Sequence, residues 1–181
     1  MRKHIVAFCV MALSLGMLAL PGLAQQKKSA PLSPPANASC RFADGKTITV
    51  NYSSPRMRGR KIYGGLVPFD EVWRLGANKA TTFDTTADVT INGKEVPAGN
   101  YTLFAIPTPS RWTLIISKKT GEWGIPYPGE SFDFARVPMT ISSLPSKLED
   151  FTISFTPGGN TCAMHADWEM TRASIEIQEK K

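Results

Sequence analysis

The chain has 181 residues, with 21 Lys+Arg against 15 Asp+Glu, 42% apolar side chains, 14 Gly, 14 Pro and 3 Cys. That balance suits one domain with a packed core and excludes collagen-like, coiled-coil, disulfide-knot and wholly disordered chains. The formal net charge of +6 is modest for the length and argues against nucleic acid as a partner.

Met1, Arg2, Lys3 and His4 precede an apolar run over residues 5–20, followed by Pro21, Gly22 and the small Ala24. A basic start, a short apolar stretch and a small residue read as a secretory leader covering residues 1–24 and cleaved after Ala24. The run falls short of the ~20 residues of a membrane-spanning helix. No comparable run follows, so the processed chain is expected to have no membrane span and to be periplasmic or secreted. Loss of Arg2 and Lys3 lowers the charge from +6 to +4. Cys40 and Cys162 then remain, an even number in an oxidising compartment, which points to one disulfide; the alternative is two buried thiols.

Residues 25–39 contain three prolines and little to bury, and read as an extended tether. A single domain over 40–178 follows. Its apolar residues alternate between Gly/Pro/Asn turns, predicting strands at 47–52, 81–84, 88–91, 101–106, 112–117, 151–156 and 162–177. Asn92-Gly93 between two such runs is the strongest hairpin signal, because a two-residue turn needs positive φ at both positions. Residues 68–78 alone show helical spacing, with Phe69, Val72, Trp73 and Ala77 able to share a face. The expected class is all-β: an antiparallel sandwich, jelly-roll-like or an open barrel, with at most one short helix.

Residues 52–81, which include Trp73-Arg74-Leu75-Gly76-Ala77-Asn78, together with 97–107, Trp123-Gly124 and Asp167-Trp168-Glu169, resemble the family known as domain of unknown function 2911. The resemblance covers roughly residues 47–177. It implies an exported β-domain and carries no catalytic residues.

The densest polar chemistry is Arg56, Arg58, Arg60 and Lys61, joined by Arg74 and Lys79; against Asp70 and Glu71 they make residues 52–81 alone +4. Guanidinium forks bind carboxylate, phosphate or sulfate in pairs, and Gly59, Gly64 and Gly65 would let such a ligand approach backbone amides. The competing reading is that these arginines hold the fold's own carbonyls and acids. Trp73, Arg74 and Asn78 together suit a ring-bearing ligand such as a sugar, with Trp73 stacking and the other two bonding its edges; alternatively Trp73 plugs the open end of the sheet. Residues 123–136 form a long aromatic loop in which Trp123, Tyr127, Asp133 and Arg136 line a groove beside 52–81 or fold down as a lid.

His165, Asp167 and Glu169 alternate along the last strand and are expected on one face, with Met164, Ala166, Trp168 and Met170 on the other. They are metal-ligand types, but such alternation is also ordinary for a half-buried strand, and no metal is expected. Gly-x-Ser-x-Gly, phosphate-cradling, His-Glu-x-x-His and Cys-x-x-Cys motifs are missing from the sequence, so no cofactor is expected either. The first functional reading is a non-catalytic exported domain that binds an anionic or glycan ligand through 52–81 and the aromatic loop. Its rivals are a hydrolase or lyase of an extracellular polymer, drawing on Asp70, Glu71, Asp133, Asp167 or Glu169, and a structural domain of the envelope.

Overall fold

A computed structural model describes residues 31–181; the leader and the first six residues of the tether lie outside them. The fold is antiparallel β throughout, as expected. Nine strands run in chain order as β1 Pro35–Arg41, β2 Thr47–Ser53, β3 Thr81–Thr85, β4 Val89–Ile91, β5 Lys94–Val96, β6 Gly99–Pro107, β7 Trp112–Ser117, β8 Asp133–Pro157 and β9 Thr161–Glu179. They form one open sheet in the order β1-β2-β3-β6-β7-β8-β9-β4-β5. The helical content of the described residues is one 3-10 turn, Glu130–Phe132.

The sheet turns over on itself because β8 and β9 are long and change partners along their length. The first part of β8 pairs with β7 and the remainder with β9, while the end of β9 pairs with β4. Side chains from both parts, among them Ile48, Phe83, Leu103, Trp112, Phe151, Trp168 and Ile177, meet in one apolar core. The Cys40–Cys162 disulfide ties β1 at one edge to the start of β9, with Cα atoms 6.2 Å apart and a sequence separation of 122. Closing a loop of that length stabilises by roughly 4–5 kcal/mol in the chain-entropy model.

Four expectations need correction. Residues 35–39 belong to β1 rather than to a tether: Ala36, Ala38 and Cys40 turn one side inward, and Pro35 is tolerated as the first residue of an edge strand. Residues 133–136, expected as loop, begin β8. The helix over 68–78 does not form, because Asp70, Leu75 and Asn78 adopt positive φ (63°, 49° and 57°) and break any helical run. Finally, the alternation in β9 slips by one residue at Glu169, whose φ is 56°. Met164, Ala166 and Trp168 are buried before it and Ala173, Ile175 and Ile177 after it, so Met170 is exposed rather than internal. The Asn92-Gly93 hairpin joins β4 to β5 with φ of 46° and 76°, the conformation expected there.

Candidate functional site

The segment between β2 and β3 carries Arg56, Arg58, Arg60 and Arg74 and runs as an irregular chain pinned at both sides. Its first part supplies β8 with partners where β8 loses register with β9: Met57 N–H donates to Glu149 O at 2.9 Å and Phe151 N–H to Pro55 O at 2.9 Å. Its second part extends β3 along β6. Trp73 exchanges two backbone hydrogen bonds of 2.8 Å with Ala105, just past the point where β3 leaves β6.

That backbone placement drives Trp73 into the core. Its indole stacks on Trp168 at 6.1 Å and meets Trp112 and Phe151 edge-on at 6.0 and 5.0 Å; the indole N–H donates to Gly76 O at 3.0 Å. Gly76 is needed because a Cβ there would lie 3.1 Å from Ser53 O. Trp168 is fully buried, its N–H donating to Glu149 O. Tyr63, edge-on to Trp112 and Trp168, is buried with a hydroxyl that has no partner among the described residues, and burial pushes that phenol far above its ordinary value.

Between this segment and the aromatic loop lies an open cleft of about 240 Å³. Its floor is Val67, Trp73 and Trp168, and Leu66 and Ile125 stand on its rim. Ser33, Arg60 and Arg74 are the polar side chains that line it. Arg60 donates through Nε to Met57 O and through Nη2 to Arg56 O; Arg74 donates through Nη1 to Asn78 O and Trp123 O. Among the described residues neither guanidinium is within ion-pair distance of a carboxylate. Partial burial lowers the Arg74 guanidinium from its ordinary value, yet an arginine stays protonated at neutral pH.

The remaining sequence candidates lie outside the cleft lining. Arg56 pairs with Asp150 at 3.0 Å, and Arg58 spans Leu32 O and, through its backbone N–H, the Glu149 carboxylate. Asn78 donates its amide to Ser33 O, and Trp123 contributes a carbonyl. Gly64 and Gly65 serve internal packing, since a Cβ would sit 2.9 Å from the Phe69 ring and 2.6 Å from Lys61 O respectively. Tyr127 lies edge-on against Phe104 on the outer side of β6, and its hydroxyl donates to Asp133. Arg136 bonds Asp133 at 2.6 Å and Glu130 at 3.0 Å. Burial, with the Asp133 hydrogen bond second, pushes Tyr127 up to about 12. This group fastens the aromatic loop to the sheet. Sequence reading missed Leu66, Val67 and Ile125, which carry no polar signature; their only cue was membership of the two segments already singled out.

His165, Asp167 and Glu169 are not gathered as a metal-holding group, and no such group of three occurs among the described residues. The Asp167 carboxylate is held by both Nε and Nη2 of Arg172, at 2.9 and 2.6 Å. Glu169 sits at the bulge near Lys147. The His165 ring lies between Thr156 Oγ1 at 3.0 Å and Ser174 Oγ at 2.8 Å. Burial first and the Arg172 charge second hold His165 below its ordinary value, against a smaller opposing effect of Asp167. The folded state therefore favours the neutral ring, and this contribution to stability is present above the ordinary histidine value and is lost as pH falls through the lowered one. The melting temperature is expected to fall between about pH 7 and pH 5, and His165→Gln to flatten that slope in a thermal denaturation series; an unchanged slope would show that another group is responsible.

Neither a curated protein nor a solved structure matches the chain. Residues 33–177 match the family described as protein of unknown function (DUF2911). That span starts just before β1 and ends within β9, taking in the cleft, the aromatic core and the hairpin. The chain belongs to the DUF2911 family.

Proposed function

We propose that this is an exported, non-catalytic binding domain that takes the anionic group of a ligand in the cleft between residues 55–77 and Ile125. The observation that carries this reading is the state of Arg60 and Arg74. Both guanidinium groups are fixed by main-chain carbonyls rather than by carboxylates, so their geometry is set while their charge stays uncompensated in the lining of a largely apolar hollow. A fixed guanidinium in a partly desolvated site binds an anion more strongly than a free surface arginine does, because little rotamer entropy is lost and the dielectric is low.

A binding role is favoured over hydrolysis by the makeup of the lining, which contains no carboxylate, histidine or cysteine to carry a proton or attack. None of the carboxylates considered for sugar cleavage lines it: Asp133 and Asp167 are held by arginines, Glu169 lies near Lys147, and Asp70 and Glu71 are exposed outside the lining. Of the two ligand classes expected, the anion is favoured over a neutral glycan, since guanidinium groups only donate and sugar hydroxyls also need acceptors.

Export is supported by the leader-like residues 1–24 and by the Cys40–Cys162 bond, which persists in oxidising compartments. N-terminal sequencing of protein recovered from outside the cytoplasm is expected to begin at Gln25; a start at Met1 would contradict the cleavage. For the site, isothermal titration with acetate, butyrate, succinate and glucuronate is expected to detect binding. Arg60→Gln and Arg74→Gln are each expected to weaken it about tenfold or more, the scale of one lost charge-assisted contact, while circular dichroism melts stay near those of the parent. Wild-type affinity in both variants would remove the cleft as the anion site.

A further inference from the structure

We infer that the ligand is an anionic amphiphile, gripped at its charged end by Arg60 and Arg74 with its apolar body passing out between Leu66 and Ile125. This rests on the anion-binding reading above and narrows it to a substrate class. Three features of the cleft converge on it.

The first is the distribution of exposed apolar side chains. Leu32, Leu66, Trp123 and Ile125 are 68%, 44%, 57% and 63% exposed and account for four of the seven large hydrophobic residues left open to solvent among the described residues. Leu66 and Ile125 line the cleft directly, while Leu32 and Trp123 give their carbonyls to Arg58 and Arg74. A cluster of exposed apolar groups around one hollow marks a binding surface, whereas scattered ones do not.

The second is polar composition. Apart from the Ser33 hydroxyl and the indole N–H groups of Trp73 and Trp168, which are spent on Gly76 O and Glu149 O, the polar groups of the lining side chains are two guanidiniums that donate and do not accept. Sugar hydroxyls and peptide N–H groups would meet no carboxylate or amide side chain there. A carboxylate or phosphate head followed by hydrocarbon matches both halves, cation to anion and Leu66, Trp73 and Ile125 to methylene groups.

The third is size. At about 240 Å³ the cleft is smaller than the ~300–1,000 Å³ of pockets that enclose a drug-sized ligand. It has room for one end of a longer molecule, and the exposed Leu66 and Ile125 on its rim give the next part of such a chain an apolar surface to lie on. The preceding segment of this chain does not suit the role, because Lys27 and Lys28 carry the same sign as the two arginines.

The test is a titration of the full-length processed protein with butyrate, hexanoate, octanoate and decanoate below micellar concentration, with decanol, glucuronate and phosphatidylglycerol vesicles as separate arms. Affinity is expected to rise about fourfold per added methylene until the chain leaves the rim, as burial of each methylene predicts. Leu66→Ser and Ile125→Ser, both at exposed positions, are expected to flatten the rise of affinity with chain length, read as a smaller ratio of decanoate to butyrate affinity. Arg74→Gln should weaken every member of the series. Equal affinity for butyrate, glucuronate and decanoate would overturn the amphiphile while sparing the anion site. Decanol binding as well as decanoate, or no carboxylate binding at all, would overturn both readings. Binding to vesicles without binding to monomeric decanoate, or a dimer broken by Leu66→Ser, would assign the apolar rim to a bilayer or to a second copy and overturn the inference.

Discussion

The insertion of Trp73 among Trp168, Trp112 and Phe151 is the contact on which the rest of the molecule depends. Two backbone hydrogen bonds to Ala105 fix where the tryptophan enters, and the indole N–H bond to Gly76 O closes the turn that follows it. Because the partners come from β6, β7, β8 and β9, one residue ties together four successive strands of the sheet. Aromatic rings at these separations add edge-to-face attraction to the burial itself. The open sheet thereby acquires a filled end without closing into a barrel.

The cleft is a by-product of that packing. Once Trp73 points inward, Arg74 must point to the other side of the extended chain, where Asn78 O and Trp123 O receive it. Gly124, at φ 88°, permits this approach, since a Cβ there would lie 3.0 Å from Arg74 Cβ and from Ala80 Cβ. Arg60 is held from the other side of the segment by Met57 O and Arg56 O. Carbonyl anchoring is weaker per contact than a carboxylate pair, and it leaves positive charge available. Adjacent residues thus take different parts, Trp73 packing the core and flooring the cleft and Arg74 supplying the charge for the ligand.

Much of this was legible in the sequence because period-two alternation and turn chemistry are local signals. The Asn92-Gly93 hairpin and strands β2, β3, β6 and β7 lie where alternation predicts them. What local pattern missed depends on distant partners. β1 reads as a Pro-rich tether until β2 supplies its hydrogen bonds, and the start of β8, where Ala135, Val137 and Met139 do alternate inward against β7, follows directly on a Gly/Pro-rich aromatic loop that hides its first residues. The spacing of Phe69, Val72, Trp73 and Ala77 is helical, yet the backbone is captured by β6 and bent by left-handed residues. In β9 the one-residue slip at Glu169 is invisible in composition, and it separates the acidic and histidine side chains from the arrangement that simple alternation gives. The arginine-rich segment was recognisable as a polar concentration; its carbonyl partners and the apolar rim became apparent only in three dimensions.

The most direct measurement is the unfolding free energy of Trp73→Ala by chemical denaturation, read beside its affinity for butyrate. Loss of a packed tryptophan of this kind is expected to cost about 3–5 kcal/mol, and butyrate affinity to fall with it because Arg74 loses its fixed position. A variant with parental stability and impaired binding would contradict this, and would mean that Trp73 serves the ligand rather than the core.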